Sequence, residues 1–371
     1  MLYLVIVIFF LSSFLTSLLL IPLFRKLAWK KGVLDIPEER KIHRKPIPLL
    51  GGVAIFISFY LVWGIGLLFL PIASRFFPSF SSYLPPLSKE VSRLTPLFLS
   101  SALMLLVGLR DDLKPLSPFS KLMGQILASL LLIFTGFRIT LFLPHPFLGG
   151  FLTILWIVWV TNTFNLLDNM DGLAGGVAFI SSLIFLYIAL ITQQWFVSAL
   201  LASFIGVLLG FLIFNFPPAS IFLGDAGSLW IGFTVSCFTI LTTYYTQELP
   251  TSLPVIMPLL ILGVPFFDTL SVIYIRWREK RPIFKADKSH FSHRLVELGF
   301  TERQAVLLIY LLTFGTGINA TLLTQVGWGG ALVILLSTMV IFSIIGILEF
   351  MGRKGRKNDN SSKTRSYPGK H

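Results

Sequence analysis

The chain has 371 residues, of which 55% are hydrophobic and only 13% charged, and its mean hydropathy is +0.83. Soluble domains carry about 25% charged residues, so the composition excludes one, along with a disordered chain; a single cysteine, Cys237, excludes a disulfide-stapled fold. What remains is an all-α polytopic membrane protein, in which the net charge of +13 has to be explained by topology before nucleic acid is invoked.

Eleven apolar runs approach the roughly 17 to 25 residues of a bilayer crossing. They fall near 2–24, 50–71, 95–109, 121–137, 147–165, 174–192, 196–214, 227–246, 252–275, 304–323 and 328–350. The first lacks a basic leader and a small-residue cleavage site and runs straight into a basic loop, so it reads as a retained helix rather than a signal peptide. If every run crosses once, all of the 30 Lys and Arg except Arg75, Lys89, Arg93 and Arg138 lie on one side, in segments 25–48, 110–121, 276–303 and 353–371. Positive-inside topology makes that side cytoplasmic, with the N-terminus outside and the C-terminus inside. The charge is thereby explained without nucleic acid. Residues 1–350 read as one catalytic domain and 351–371 as a basic, disordered tail suited to anionic headgroups.

Charges near hydrocarbon are costly and mark substrate, ion or catalytic sites. Asp111, Asp112, Asp168, Asp171, Asp225 and Asp268 all sit within a few residues of an expected helix end, and every one of those ends is cytoplasmic. In chain order, DIPEERKIHRKPIPLLGG gathers Arg40, Lys41, His43, Arg44 and Lys45 before a Pro-x-Pro bend and a glycine pair. These are either topology signals or phosphate ligands. In VGLRDDLKPL, the neighbours Asp111 and Asp112 should not both ionise easily without a cation or donors nearby. They fit a base or metal site, or a solvated loop paired with Arg110 and Lys114. In NTFNLLDNMDGLAGG, Asn162, Asn165, Asp168 and Asp171 recur every three residues, which on a helix makes a polar stripe, either a site or an interhelical hydrogen-bonding face. In NFPPASIFLGDAGSL, Asn215 and two prolines precede a Gly-Asp-Ala-Gly-Ser turn at a helix start. Its amides could cradle a phosphate while Asp225 holds a hard cation, or it could be an ordinary capped turn. In DKSHFSHRL, His290 and His293 have a zinc-like spacing, but their basic neighbours favour phosphate over a dication.

Together these segments suggest chemistry at the membrane surface between a phosphorylated, water-soluble donor and a lipid acceptor, with Mg²⁺ as the cation. Their order, DIPEERKIHRKPIPLLGG, GLRDDL, KLMGQ, NTFNLLDNMDGLAGG, NFPPASIFLGDAGS, PFFDTL and DKSHFSHRL, resembles the polyprenyl-phosphate N-acetylhexosamine-1-phosphate transferases, and within them the GlcNAc-1-phosphate branch more than the phospho-MurNAc-pentapeptide translocase branch. The resemblance, covering residues 35 to 300, implies transfer of a sugar 1-phosphate from a UDP-sugar to polyprenyl phosphate with release of UMP. The enzyme would lie in a bacterial cytoplasmic membrane with its active site facing the cytoplasm. It also implies Mg²⁺, with Mn²⁺ as a substitute, and a homodimer. Residue by residue it carries Asp225 as metal ligand, Asp111 and Asp112 as the catalytic pair and Lys121 as a phosphate ligand. Lys45, Asn165, Asp168, Asp171, Asn215, Phe222, His290, His293 and Arg294 come across as nucleotide or diphosphate ligands, with Phe222 packing on uracil. One position departs: relatives often read His-x-His-His-Arg-Leu, and Ser292 stands where the first member of that His pair belongs. Since Ser carries no charge near neutral pH, the base role falls to the aspartates. UDP-MurNAc-pentapeptide or another UDP-N-acetylhexosamine is the alternative donor. A transporter or lipid flippase is the alternative class, but it would place its charges near the midplane and repeat its halves.

Overall fold

The computed structural model describes residues 2–37, 45–76, 87–140, 145–245, 250–282 and 289–365. Arg40, Lys41, His43 and Arg44 of the first basic loop lie outside them. Among the described residues the protein is all-α apart from one antiparallel pair of two-residue strands, Leu34–Asp35 and Ile47–Pro48. It forms two compact units, 1–246 and 247–371.

Among its described residues the first unit holds eight helices: α1 (Leu2–Lys31), α2 (Gly51–Phe76), α3 (Leu87–Leu113), α4 (Pro118–Phe134), α5 (Pro146–Leu167), α6 (Leu173–Ile191), α7 (Trp195–Asn215) and α8 (Gly224–Leu241). Helices α7 and α8 form its interior, their apolar windows 78% buried, whereas α1 is 22% buried and turns Leu19 and Leu23 outward. An apolar helix left exposed on this scale is covered by lipid. Helix α1 packs along α7, where the Ser17 hydroxyl donates to the Val207 carbonyl at 2.9 Å. Phe56, Phe59, Phe204 and Phe238 surround the fully buried Trp230 on α8 or one another, with ring centroids 5.3 to 6.3 Å apart.

In the second unit a short helix α9 (Met257–Ile261) meets α10 (Gly263–Arg278), the apolar pair bending by 64°. Then come α11 (Phe291–Glu297), α12 (Glu302–Thr321) and α13 (Trp328–Arg365). Helix α12 starts with a capping box in which Thr301 and Gln304 satisfy each other's backbone amides.

Among the described residues, nine helices are long and apolar enough to cross a membrane, and the bent pair makes a tenth. The expected run 121–137 is the 17-residue α4, about 25 Å long and short of a hydrocarbon layer about 30 Å thick. Helix α13 carries on through the polar stretch to Arg365. Adding residues to a formed helix costs far less than nucleating one, and Lys, Arg and Met are good helix formers.

Candidate active site

The first unit brings the ends of six consecutive helices to one face. Helices α3, α5 and α7 end there, and α4, α6 and α8 begin there. At its centre is the Lys121 ammonium, 2.5 Å from Asp111 Oδ2 and 2.8 Å from Asp225 Oδ2. Lys121 sits in the first turn of α4, which Ser117 caps through the Ser120 amide. Asp225 opens α8, and its other oxygen accepts from Asn165 Nδ2 at 2.7 Å; the same amide donates to the Ser228 hydroxyl at 2.9 Å. The side chains of Lys121 and Asp225 remain 22% and 30% exposed, so the cluster opens to a ligand.

The adjacent aspartates have different work. Asp111 accepts from the Leu116 amide at 2.6 Å and from Lys121. Asp112 accepts the Asp225 and Ala226 amides at 2.7 and 3.0 Å, one on each oxygen, and so caps the start of α8 from another helix. Gly224 makes this possible: its φ is +67°, and a Cβ there would meet Asp112 Oδ2 at 2.5 Å. Gly108 lets α3 approach, since a Cβ at that position would lie 2.3 Å from the Asp225 carbonyl oxygen. Asp112 thus positions Asp225, while Asp111 stands in the open cluster; the sequence treats them as one pair.

The expected stripe breaks after Asn165. Helix α5 ends at Leu167, so Asp168 is its C-cap and Asp171 lies in the following turn. Asn162 leaves the stripe by exchanging hydrogen bonds with Gln125 of α4, at 2.7 and 3.3 Å, and is a packing contact. Burial and the neighbouring charges of Asp225, Asp112 and Asp171 hold the Asp168 carboxyl well above its ordinary value.

Other expected ligands brace the site from behind. Asn215 is 4% exposed, accepting from the Gly172 amide and donating to the Ile221 carbonyl, both at 2.9 Å. Asp171 accepts the Ala219 amide at 2.8 Å. Phe222 keeps a partly exposed ring on a fixed backbone: its amide donates to Pro48, and its carbonyl accepts from Gly51. The glycine pair of the first basic motif therefore shapes this loop. Lys45 lines a separate pocket of about 450 Å³ with Arg25, Lys26, Trp29, Ala219 and Ser220.

In the second unit, Asp268 of α10 organises the His290–Arg294 segment. One of its oxygens accepts the Phe291 amide at 2.6 Å and the other meets His290 Nδ1 at 3.0 Å. Arg294 lies 3.9 Å from Asp268 and donates to the Ser271 hydroxyl at 2.6 Å. His290 and Arg294 are 5% and 4% exposed, so of the three expected phosphate ligands only His293 is turned partly outward. Ser292, at the departing position, is buried too.

Could the first cluster hold a divalent cation? Mg²⁺ takes oxygen ligands, keeps several waters and uses one or two carboxylates plus substrate phosphates rather than an all-protein cage. Asp111 and Asp225 both place an oxygen within hydrogen-bond distance of one cationic nitrogen, and Asp168 and Asp112 add negative charge that Lys121 alone does not balance. The donor set fits. Among the described residues no group of three His, Cys, Asp or Glu side chains is arranged to hold a metal ion by itself.

A carboxylate cluster around one lysine, at the helix ends on one face of a multi-helix membrane unit, fits a membrane enzyme acting on phosphates. Residues 94–243 match the glycosyl transferase family 4 model. The chain is 34% identical, over 93% of its length and 91% of the relative's, to the probable undecaprenyl-phosphate N-acetylglucosaminyl 1-phosphate transferase of Bacillus subtilis. It is 30% identical to the decaprenyl-phosphate N-acetylglucosaminephosphotransferase of Mycobacterium tuberculosis, covering 77% of this chain and 74% of that protein. It is also 30% identical to the undecaprenyl-phosphate alpha-N-acetylglucosaminyl 1-phosphate transferase of Escherichia coli, covering 81% and 79%. The chain belongs to the polyprenyl-phosphate GlcNAc-1-phosphate transferases of glycosyl transferase family 4.

Sequence reasoning missed Ser228, Gln125 and the organising role of Asp268. All three stand inside motifs it quoted, GDAGSL, KLMGQ and PFFDTL, but their partners lie 23 to 63 residues away along the chain.

Proposed function

We infer that the protein transfers GlcNAc-1-phosphate from UDP-GlcNAc to polyprenyl phosphate, releasing UMP and leaving a polyprenyl-diphosphate sugar that starts a cell-envelope polysaccharide. The observation that carries this reading is the Lys121 ammonium held between Asp111 and Asp225 at the start of α8. A phosphate oxygen of the lipid attacks the donor's β-phosphorus and the bond to the α-phosphate breaks. Such a transfer needs positioning and charge stabilisation more than covalent chemistry from the protein.

Each residue has a part in that. Lys121 can turn its charge to a phosphate oxygen, releasing Asp111 to take or orient a proton of the lipid phosphate. Asn165 holds the Asp225 carboxylate, and Asp112 holds the backbone beneath it. Phe222 offers a ring on a fixed loop to the uracil. Asp225 and Asp111 are the residues that would hold Mg²⁺, which when bound neutralises charge on the diphosphate. The face bearing the site is cytoplasmic by the positive-inside rule, because Arg25, Lys26 and Lys45 line a pocket with Ala219 and Ser220, and Arg110 and Lys114 stand at the end of α3.

The test is UMP release by detergent-purified protein given polyprenyl phosphate, Mg²⁺ and either UDP-GlcNAc or UDP-MurNAc-pentapeptide. Release that needs the lipid and UDP-GlcNAc is expected. Release with the MurNAc donor alone would move the protein to the other branch, and none with any UDP-amino sugar would overturn the reaction.

A further inference from the structure

The first unit also has a cavity of about 790 Å³ that the transferase reading does not use. It lies at the far end of the helices that build the carboxylate cluster. Helix α3 carries Arg93 to the cavity and Asp111 to the cluster, 18 residues apart and so about 27 Å along the helix. Likewise α4 leads from Lys121 to the Thr135–Arg138 turn, and α8 from Asp225 to Leu241 and Thr243 at the cavity wall. The separation is about the thickness of a bilayer's hydrocarbon core, so the cavity opens at the opposite membrane interface.

Its walls are mostly apolar, with Val5, Phe9 and Leu67 among them, and its size falls in the range of about 300–1,000 Å³ that buries a whole small ligand. Aromatic rings gather around it as they do at membrane interfaces: Trp63 stacks on Phe9 at 4.5 Å, and Trp195 meets Tyr3 edge-on at 5.4 Å. The polar groups are unbalanced. Arg93 and Arg138 line the cavity, and among the described residues no Asp or Glu does. The Arg93 guanidinium lies 5.5 Å from the centre of the Phe196 ring, a contact that fixes the side chain without cancelling its charge. Basic residues are scarce on this side of the chain, which makes two at one cavity informative.

We propose that this cavity binds an anionic glycerophospholipid of the membrane. An acyl chain fills the apolar part, and Arg93 and Arg138 hold the headgroup phosphate. Two arginines with no acidic residue among the described lining suit a net negative headgroup. A zwitterionic lipid would bring its own cation to two arginines. The acceptor lipid's phosphate belongs, on the reading above, at the other end of the helices.

The experiment is a melt of the delipidated full-length protein in detergent with added phosphatidylglycerol or phosphatidylcholine, together with native mass spectrometry of retained lipid. Phosphatidylglycerol should raise the melting temperature by about 4 °C or more and phosphatidylcholine by about 1 °C or less. R93Q/R138Q should weaken phosphatidylglycerol binding at least about tenfold. A cooperative melt is the folding control, so a failed transferase assay does not touch the result. If the double variant does not melt cooperatively, Arg138→Gln, at an exposed position, carries the test. Equal shifts from the two lipids, an undiminished phosphatidylglycerol shift in the arginine variants, or a larger arginine-dependent shift from polyprenyl phosphate would overturn the proposal.

Discussion

The clusters around Asp225 and Asp268 use the same materials, carboxylates and cations at the ends of apolar helices, but they balance charge differently. Around Asp268 one carboxylate meets His290, the Phe291 amide and, further off, Arg294, all almost wholly buried. Around Asp225, two carboxylates, Asp111 and Asp225, share the single charge of Lys121 with Asp112 and Asp168 close by, and Lys121 and Asp225 stay partly exposed. A balanced, buried cluster holds a fold together, because each charge taken from water finds its partner. An unbalanced, open one is costly until a cation or a ligand's donors complete it, which is why such clusters mark sites.

Asp225→Asn should lower lipid-dependent UMP release by at least about a thousandfold while the melting temperature stays within about 2 °C, since a nearly isosteric amide replaces a group whose charge serves the ligand. A large fall in melting temperature would make Asp225 a fold residue like Asp268. Asp268→Ala should do the reverse, costing about 3–5 kcal/mol of stability by leaving buried His290 and Arg294 without their carboxylate. An unchanged denaturation midpoint with lost turnover would erase the distinction. Lys121→Gln should slow turnover by about a hundredfold, a smaller effect than at Asp225 because one charge-assisted contact to phosphate is lost and the carboxylates remain.

The smallest effect concerns Asp168. Its carboxyl is raised above 3.8 in the folded protein, so the folded state holds the proton more tightly and ionisation weighs against folding. That penalty is absent below the ordinary carboxylate range and complete once the pH passes the raised value. In metal-free protein, Asp168→Asn should therefore melt above wild type near neutral pH, with the gap closing toward about pH 4. A gap that stays constant with pH would contradict the unbalanced charge.

Much of this was legible in the sequence, and for identifiable reasons. Helix ends and acidic positions are local properties, so the gathering of Asp111, Asp112, Asp168, Asp171 and Asp225 at one face could be read from hydropathy and spacing alone. Which oxygen meets which donor is a long-range property. Asp111 and Asp112 look identical in GLRDDL, and only the approach of α3 to α8 at Gly108 and Gly224 separates a cap from an open carboxylate. Asn162 and Asn165 likewise share a spacing but face α4 and α8 respectively. The stripe failed beyond Leu167 because period-three counting assumes a helix that the Asp168–Gly172 turn ends. The inward turn of His290 and Arg294 was hidden because their partners, Asp268 and Ser271, lie 22 and 23 residues earlier.

The central claim is that the open cluster around Asp225 is completed by a divalent cation. It is tested most directly by titrating Mn²⁺ into the purified protein in the presence of UDP-GlcNAc and following the free ion by electron paramagnetic resonance, for wild type and Asp225→Asn. The account predicts one bound Mn²⁺ per chain in wild type, competed by Mg²⁺, and at least about a hundredfold weaker binding in the variant. Equal binding by the two proteins, or none by wild type, would contradict it.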